Sequence, residues 1–200
     1  MKRDNQNDIL CWLQFKEGNK EAFAEIYHAH IESLICYGTR LCTDKEILKD
    51  NIQDLFVELW NSRENLCVPD CVKFYLFKAL RYKLIHTERQ RHIHVQLHLE
   101  EEDENRSAFS VEDEIINKEI HDWRVNAVRK AITTLTRRQQ EAIQLRFYQG
   151  FSNSQIAELM EMNYQSVSNL LQSALHRIKS NFKPSTVFTA ALIAAFHLFL

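Results

Sequence analysis

The chain has 200 residues, a formal net charge of −2, and only three Gly (Gly18, Gly38, Gly150) and two Pro (Pro69, Pro184). So few turn formers argue against a β-rich or α/β chain and for long helices joined by polar links, and the length accommodates two small helical units. Five cysteines (Cys11, Cys36, Cys42, Cys67, Cys71) form an odd set with no secretory signal ahead of them. They are read as free thiols of a cytoplasmic protein rather than a disulfide framework.

The near-neutral total conceals alternation. Residues 1–70 carry 8 Lys and Arg against 13 Asp and Glu, residues 71–94 carry 6 against 1, residues 95–122 carry 2 against 10, and residues 123–183 carry 9 against 3. Two basic segments separated by an acidic one suit a protein that presents two surfaces to a polyanion and keeps the intervening part away from it.

In chain order, apolar residues first recur at helical spacing as one stripe of Phe23, Ile26, Tyr27, Ile31, Leu34 and Ile35. A second stripe contains Ile52, Leu55, Phe56, Leu59 and Trp60. Residues 61–70, with Pro69, form the break, since proline cannot continue a helix interior. A further helix is expected over 71–91, with Leu76, Phe77, Leu80 and Leu84 on its buried side. The run Glu100, Glu101, Glu102, Asp103, Glu104 has no sustained apolar period and reads as solvated linker. A helical pattern resumes over 115–135, and shorter helical segments follow to 182.

Thr136 with Gln139, and Ser152 with Gln155, match the capping box, in which a hydroxyl and an amide satisfy orphan helix donors reciprocally. Gly150 falls where a helix end needs a left-handed residue. Asn163 can cap a last helix whose apolar stripe is Val167, Leu170, Leu171, Ala174, Leu175 and Ile178. Its opposite face carries Tyr164, Gln165, Ser168, Asn169, Gln172, Ser173, His176 and Arg177. A short helix, a tight turn and a polar-faced helix describe a helix-turn-helix, whose second helix enters the major groove, where Gln and Asn suit bidentate contacts to adenine. The expectation is an all-α fold: a helical domain at 8–94, an acidic linker at 95–112, a helix-turn-helix domain at 113–183 and an apolar tail at 184–200.

The wording of these segments carries a resemblance. AIQLRFYQGFSNSQIAELM (142–160) and MNYQSVSNLLQSALHRIK (162–179) closely resemble the promoter-binding C-terminal domain of extracytoplasmic-function sigma factors. EAFAEIYHAHIESLICYGTRL, DNIQDLFVELW and KFYLFKALRYKLIHTERQR resemble that family's N-terminal domain, in family order. The resemblance covers about residues 10–182 and implies a protein that brings promoter recognition to core RNA polymerase without catalysis or cofactor. It implies that Gln53, Asp54 and Glu58 dock on the clamp coiled coil of the polymerase β′ subunit, with Phe56 packed inward, and that the β subunit is also contacted. It implies that Lys78, Arg81, Tyr82 and Arg89 meet the −10 element, with 61–70 as a pocket loop for an extruded base. Gln165, Ser166, Ser168, Asn169 and Gln172 correspond to −35 readers, while Arg137, Arg138, Arg177 and Lys179 suit phosphates. An anti-sigma protein is a further implied partner.

The chain departs from the family pattern at Ser168 and Ser173, where basic residues are common, at Tyr82 in place of an Asn, and at Thr136 in place of a Pro. The main rival reading is a dimeric helix-turn-helix regulator acting without polymerase. A metal site of Cys67, Cys71, His92, His94 and His98 lacks the matched short spacings of zinc ligands, so no metal is expected. Residues 185–200 carry no charge; at about 1.5 Å per residue they fall short of a ~30 Å hydrocarbon core. The tail is therefore expected to pack on the second domain rather than to contact a membrane.

Overall fold

The computed structural model describes residues 2–96 and 132–181. The chain divides into two compact units, Met1–Ala108 and Phe109–Leu200. The acidic run at 100–104, most of the segment at 115–135 and the tail at 184–200 lie outside the described residues.

The first unit is built from α1 (Lys2–Lys16), α2 (Lys20–Leu41), α3 (Lys45–Ser62) and α4 (Val72–Gln96). α1 begins earlier and α4 ends later than the apolar periodicity alone places them. Gly18 ends α1 with φ 90°, its N–H bonding Phe15 O at 2.9 Å, while Asn19 N reaches back to Gln14 O at 3.1 Å. This pair of bonds satisfies orphan carbonyls, and the left-handed turn is free of steric cost at glycine. Asn19 then caps α2, its Oδ1 accepting from Ala22 N at 3.0 Å, so two residues complete the corner. Asp44 caps α3 in the same way through Glu46 N and Ile47 N.

The core of this unit joins Trp12 and Phe15 of α1, Ile26, Leu34 and Tyr37 of α2, Ile52, Leu55, Phe56 and Leu59 of α3, and Leu76, Phe77, Leu80 and Leu84 of α4. Phe23 bridges the helices, with its ring stacked on Phe15 at 5.1 Å and tilted against Trp60 at 5.2 Å. Gly38 lies where α2 meets α3: a methyl group there would overlap the buried Leu48 side chain. Tyr27 and Ile35 belong to the apolar stripe of α2 yet are exposed, because the stripe is wider than the face that α1, α3 and α4 cover.

The expected break at 61–70 starts later. Asn61 and Ser62 complete α3, a single 3-10 turn follows at Arg63–Asn65, and only 66–71 is extended or bent. Trp12 Nε1 donates to Cys67 O at 3.2 Å and Asn5 Nδ2 to Asp70 O at 2.9 Å, which ties both ends of this loop to α1.

In the second unit, α5 (Arg137–Ile143) runs into a π turn at Gln144–Tyr148, followed by α6 (Asn153–Leu159) and α7 (Tyr164–Asn181). Both capping boxes are formed. The π turn closes on Gln149 N to Gln144 O at 3.0 Å, and Gly150, at φ 75°, lets Phe151 N return to Leu145 O. α7 packs on both α5 and α6, burying Val167, Leu171, Ala174 and Ile178 against Ala142, Leu145, Ile156 and Leu159.

Candidate nucleic-acid and polymerase interfaces

On α3, helical geometry sends Ile52, Leu55, Phe56 and Leu59 into the core and leaves Gln53, Asp54, Val57 and Glu58 on the outer side, all exposed. An acidic ridge with one apolar residue at its centre results, and Val57 is an element of it that charge counting does not reveal. Glu58 is not free for a partner in this structure. Its Oε1 receives Lys83 Nζ at 2.6 Å, which links α3 to α4. Two further side-chain bonds join the same regions: Thr87 Oγ1 donates to Asn51 Oδ1 at 3.0 Å, and Arg91 reaches Asp44 Oδ2 at 3.4 Å. Between α3 and α4 lies a cleft of 480 Å³, walled by Asp54, Glu58 and Ser62 on one side and Tyr75, Tyr82, Lys83 and His86 on the other.

The outer side of α4 carries Lys78, Arg81, Tyr82 and Arg89, with Lys78, Tyr82 and Arg89 exposed and Arg81 half-buried. Tyr82 is 71% exposed, so its ring lies on the surface rather than in the core. Its ring lies parallel to that of His86, with centroids 6.2 Å apart and planes at 2°. Cations interleaved with flat rings offer both phosphate attraction and base stacking. His86 has no place in the sequence expectation; it stands one helical turn after Tyr82, and that spacing was the available signal.

In α7, Gln165, Asn169, Gln172, Arg177 and Lys179 are exposed, while Ser166 and Ser168 are half-buried. Asn163 caps the helix, its Oδ1 accepting from Ser166 N at 2.7 Å. Gln165 Nε2 donates to Asn169 Oδ1 at 3.1 Å, so these two amides are already oriented along one edge of the helix. The two serines that stand where the family favours cations have structural engagements. Ser168 Oγ accepts from Asn153 Nδ2 of α6 at 3.3 Å, and Ser173 Oγ accepts from Gln139 Nε2 of α5 at 3.1 Å. Gln139 thus closes the Thr136 capping box with one end of its amide and holds α7 with the other. Arg137 and Arg138 are exposed in the first turn of α5. Phe147 and Tyr148, exposed on the π turn, add apolar surface that periodicity does not single out.

Among the described residues no group of His, Cys, Asp and Glu is arranged to hold a metal ion, and no helix is long and apolar enough to cross a membrane. Of the Cys and His set weighed above, His98 and the side chains of His92 and His94 lie outside what the structure describes.

Residues 126–178 match the family model described as Sigma-70, region 4. No curated protein sequence matches the chain significantly. Among solved structures, the chain is similar to the sigma factor RpoE in its complex with the anti-sigma factor NepR from Bartonella quintana. The TM-score is 0.59 at 19% identity, over 80% of this chain and 95% of that one. It is also similar to CnrH in complex with the cytosolic domain of CnrY, with a TM-score of 0.56 at 16% identity, over 87% of this chain and 96% of that one. These likenesses establish the fold, and residues 126–178, which hold the helix-turn-helix, match sigma-70 region 4.

Proposed function

We propose that this cytoplasmic protein is a sigma factor of the extracytoplasmic-function type, which docks on core RNA polymerase through the α3 ridge of Gln53, Asp54, Val57 and Glu58 and reads the −10 element through Lys78, Arg81, Tyr82 and Arg89 of α4. The −35 element falls to α7, with Gln165, Asn169 and Gln172 at base edges, Ser166 and Ser168 beside them, and Arg177, Lys179, Arg137 and Arg138 on phosphates. The division into a docking and −10 domain, a linker and a −35 domain follows the same assignment. The protein performs no catalysis; polymerase supplies the chemistry.

The observation that carries this reading is the adjacency, within one unit, of an exposed acidic ridge and an exposed cationic and aromatic helix face. An acidic ridge repels DNA and attracts a basic protein surface, whereas the α4 face does the reverse, so the unit is suited to hold a protein and a nucleic acid at once. Both structural relatives above were solved with a partner protein, RpoE with the anti-sigma factor NepR and CnrH with the cytosolic domain of CnrY. An anti-sigma protein that covers these surfaces is the corresponding partner here. The test is a binding titration of the full chain against core polymerase and against free duplex DNA. Tighter binding to polymerase is expected; tight polymerase-independent binding to a palindrome would favour the dimeric regulator instead.

A further inference from the structure

The Glu58–Lys83 pair joins the two surfaces just assigned, and it has a consequence for their order of use. Glu58 belongs to the docking ridge, and its side chain is 66% exposed; Lys83 is only 18% exposed, its stem laid into the cleft between α3 and α4. Lys83 follows Tyr82 directly on α4 and so sits one helical step round from the −10 face, with His86 beside it on the cleft wall. A lysine is a flexible point charge with rotatable donors, able to exchange one oxyanion for another without backbone movement. The other charged group on the α3 wall, Asp54, belongs to the same ridge and is a second place for a cationic partner to bind.

We propose that Lys83 is a further DNA-contacting residue, held by Glu58 in the free protein and handed to the promoter strand when a basic group of polymerase takes Glu58. The proposal rests on the docking and −10 assignments above and adds their coupling. An exposed carboxylate gains from a new cation on its open side; once that cation neutralises it, the attraction that keeps Lys83 in the cleft is weakened, and a phosphate on the adjoining face can compete for the ammonium. The free protein is thereby a poorer DNA binder than the polymerase-bound one, through a contact contained within a single domain.

The experiment uses full-length protein and a fluorescein-labelled single-stranded oligothymidylate of about 20 nucleotides, a probe of phosphate contacts that needs no promoter sequence, read by anisotropy across a salt series. Glu58→Gln should raise affinity roughly two- to fivefold, the scale of one exposed ion pair, and steepen the log–log salt slope by about 0.7, the increment of one phosphate on a single strand. Loss of any acidic residue near DNA raises affinity somewhat, so the deciding comparison is made in a Lys83→Gln background. There the gain from Glu58→Gln should shrink to the small increment that removal of a nearby negative charge gives by itself. The exchanged pair, Glu58→Lys with Lys83→Glu, restores the bridge and should bind as weakly as wild type, which keeps the test available if a single variant is poorly folded. A Glu58→Gln gain that is absent, or that persists undiminished in the Lys83→Gln background, overturns the coupling. Core polymerase binding by the wild-type protein is measured alongside: its presence in that case leaves the sigma-factor reading standing, and its absence removes that reading independently of the cycle.

Discussion

Glu161 terminates α6 with φ 54°, the one non-glycine residue with positive φ among the described residues, while Met162 N returns to Ala157 O at 2.9 Å. A side chain in this region is opposed by its own backbone at a cost of about 1–2 kcal/mol, partly offset by the greater unfolded-state freedom of the glycine that would relieve it. Glu161→Gly should therefore stabilise the helix-turn-helix by up to about 1 kcal/mol, seen as a raised midpoint in chemical denaturation. His30 is the residue-scale counterpart in the first unit. It is buried on α2, with Nε2 3.1 Å from Asp8 Oδ2. Burial pushes its pKa below the ordinary 6.5 and nearby Lys73 adds to this, while Asp8 acts in the opposite direction. The unfolded chain accordingly takes up the proton first, so the stability that neutral His30 contributes is present above 6.5 and lost as pH falls through the lower folded value. The melting temperature should fall as the pH drops below 6.5, and by less in His30→Gln. An equal fall in both proteins would place the titration elsewhere. Gly38→Ala is expected to cost about 1–3 kcal/mol by overpacking against Leu48.

At the scale of elements, α7 is held by side-chain bonds to both α5 and α6 and leaves Gln165, Asn169 and Gln172 exposed. Gln165→Ala should change preference at particular −35 positions, whereas Arg177→Ala should lower activity at all promoters and reduce the salt slope by about one phosphate. A run-off assay over a promoter library separates them; identical, promoter-independent losses would contradict the division. The helix-turn-helix was legible in the sequence because its signals are local: Thr136 with Gln139, Ser152 with Gln155, and the Asn163 cap each act within one turn of helix. What was not legible pairs residues distant in sequence. Nothing near Lys83 announces Glu58, nor does Thr87 announce Asn51. The roles of Ser168 and Ser173 were hidden for the same reason: they look like lost cations until Asn153 and Gln139 are seen to bond them. The π turn is likewise silent, since its apolar residues fit an ordinary helix equally well, and the exposure of Tyr27 and Ile35 depends on how much of α2 its neighbours cover.

For the whole molecule, the proposed protein-binding ridge on α3, strand-binding face on α4 and duplex-reading helix α7 occupy one chain whose charge alternates between acidic and basic segments. Asp54→Arg places a cation in the acidic ridge at an exposed site, so it should weaken core polymerase binding by tenfold or thereabouts while circular dichroism stays unchanged. Unaltered affinity in a pull-down titration would remove Asp54 from the interface. The central claim is tested most directly by run-off transcription with purified core polymerase over a promoter library, with and without this protein. Added protein should produce transcripts from a subset of promoters that core polymerase alone does not use, and Asp54→Arg should reduce all of them together. No new transcript from any promoter, under conditions where the chain is folded and core polymerase is active, would contradict the assignment.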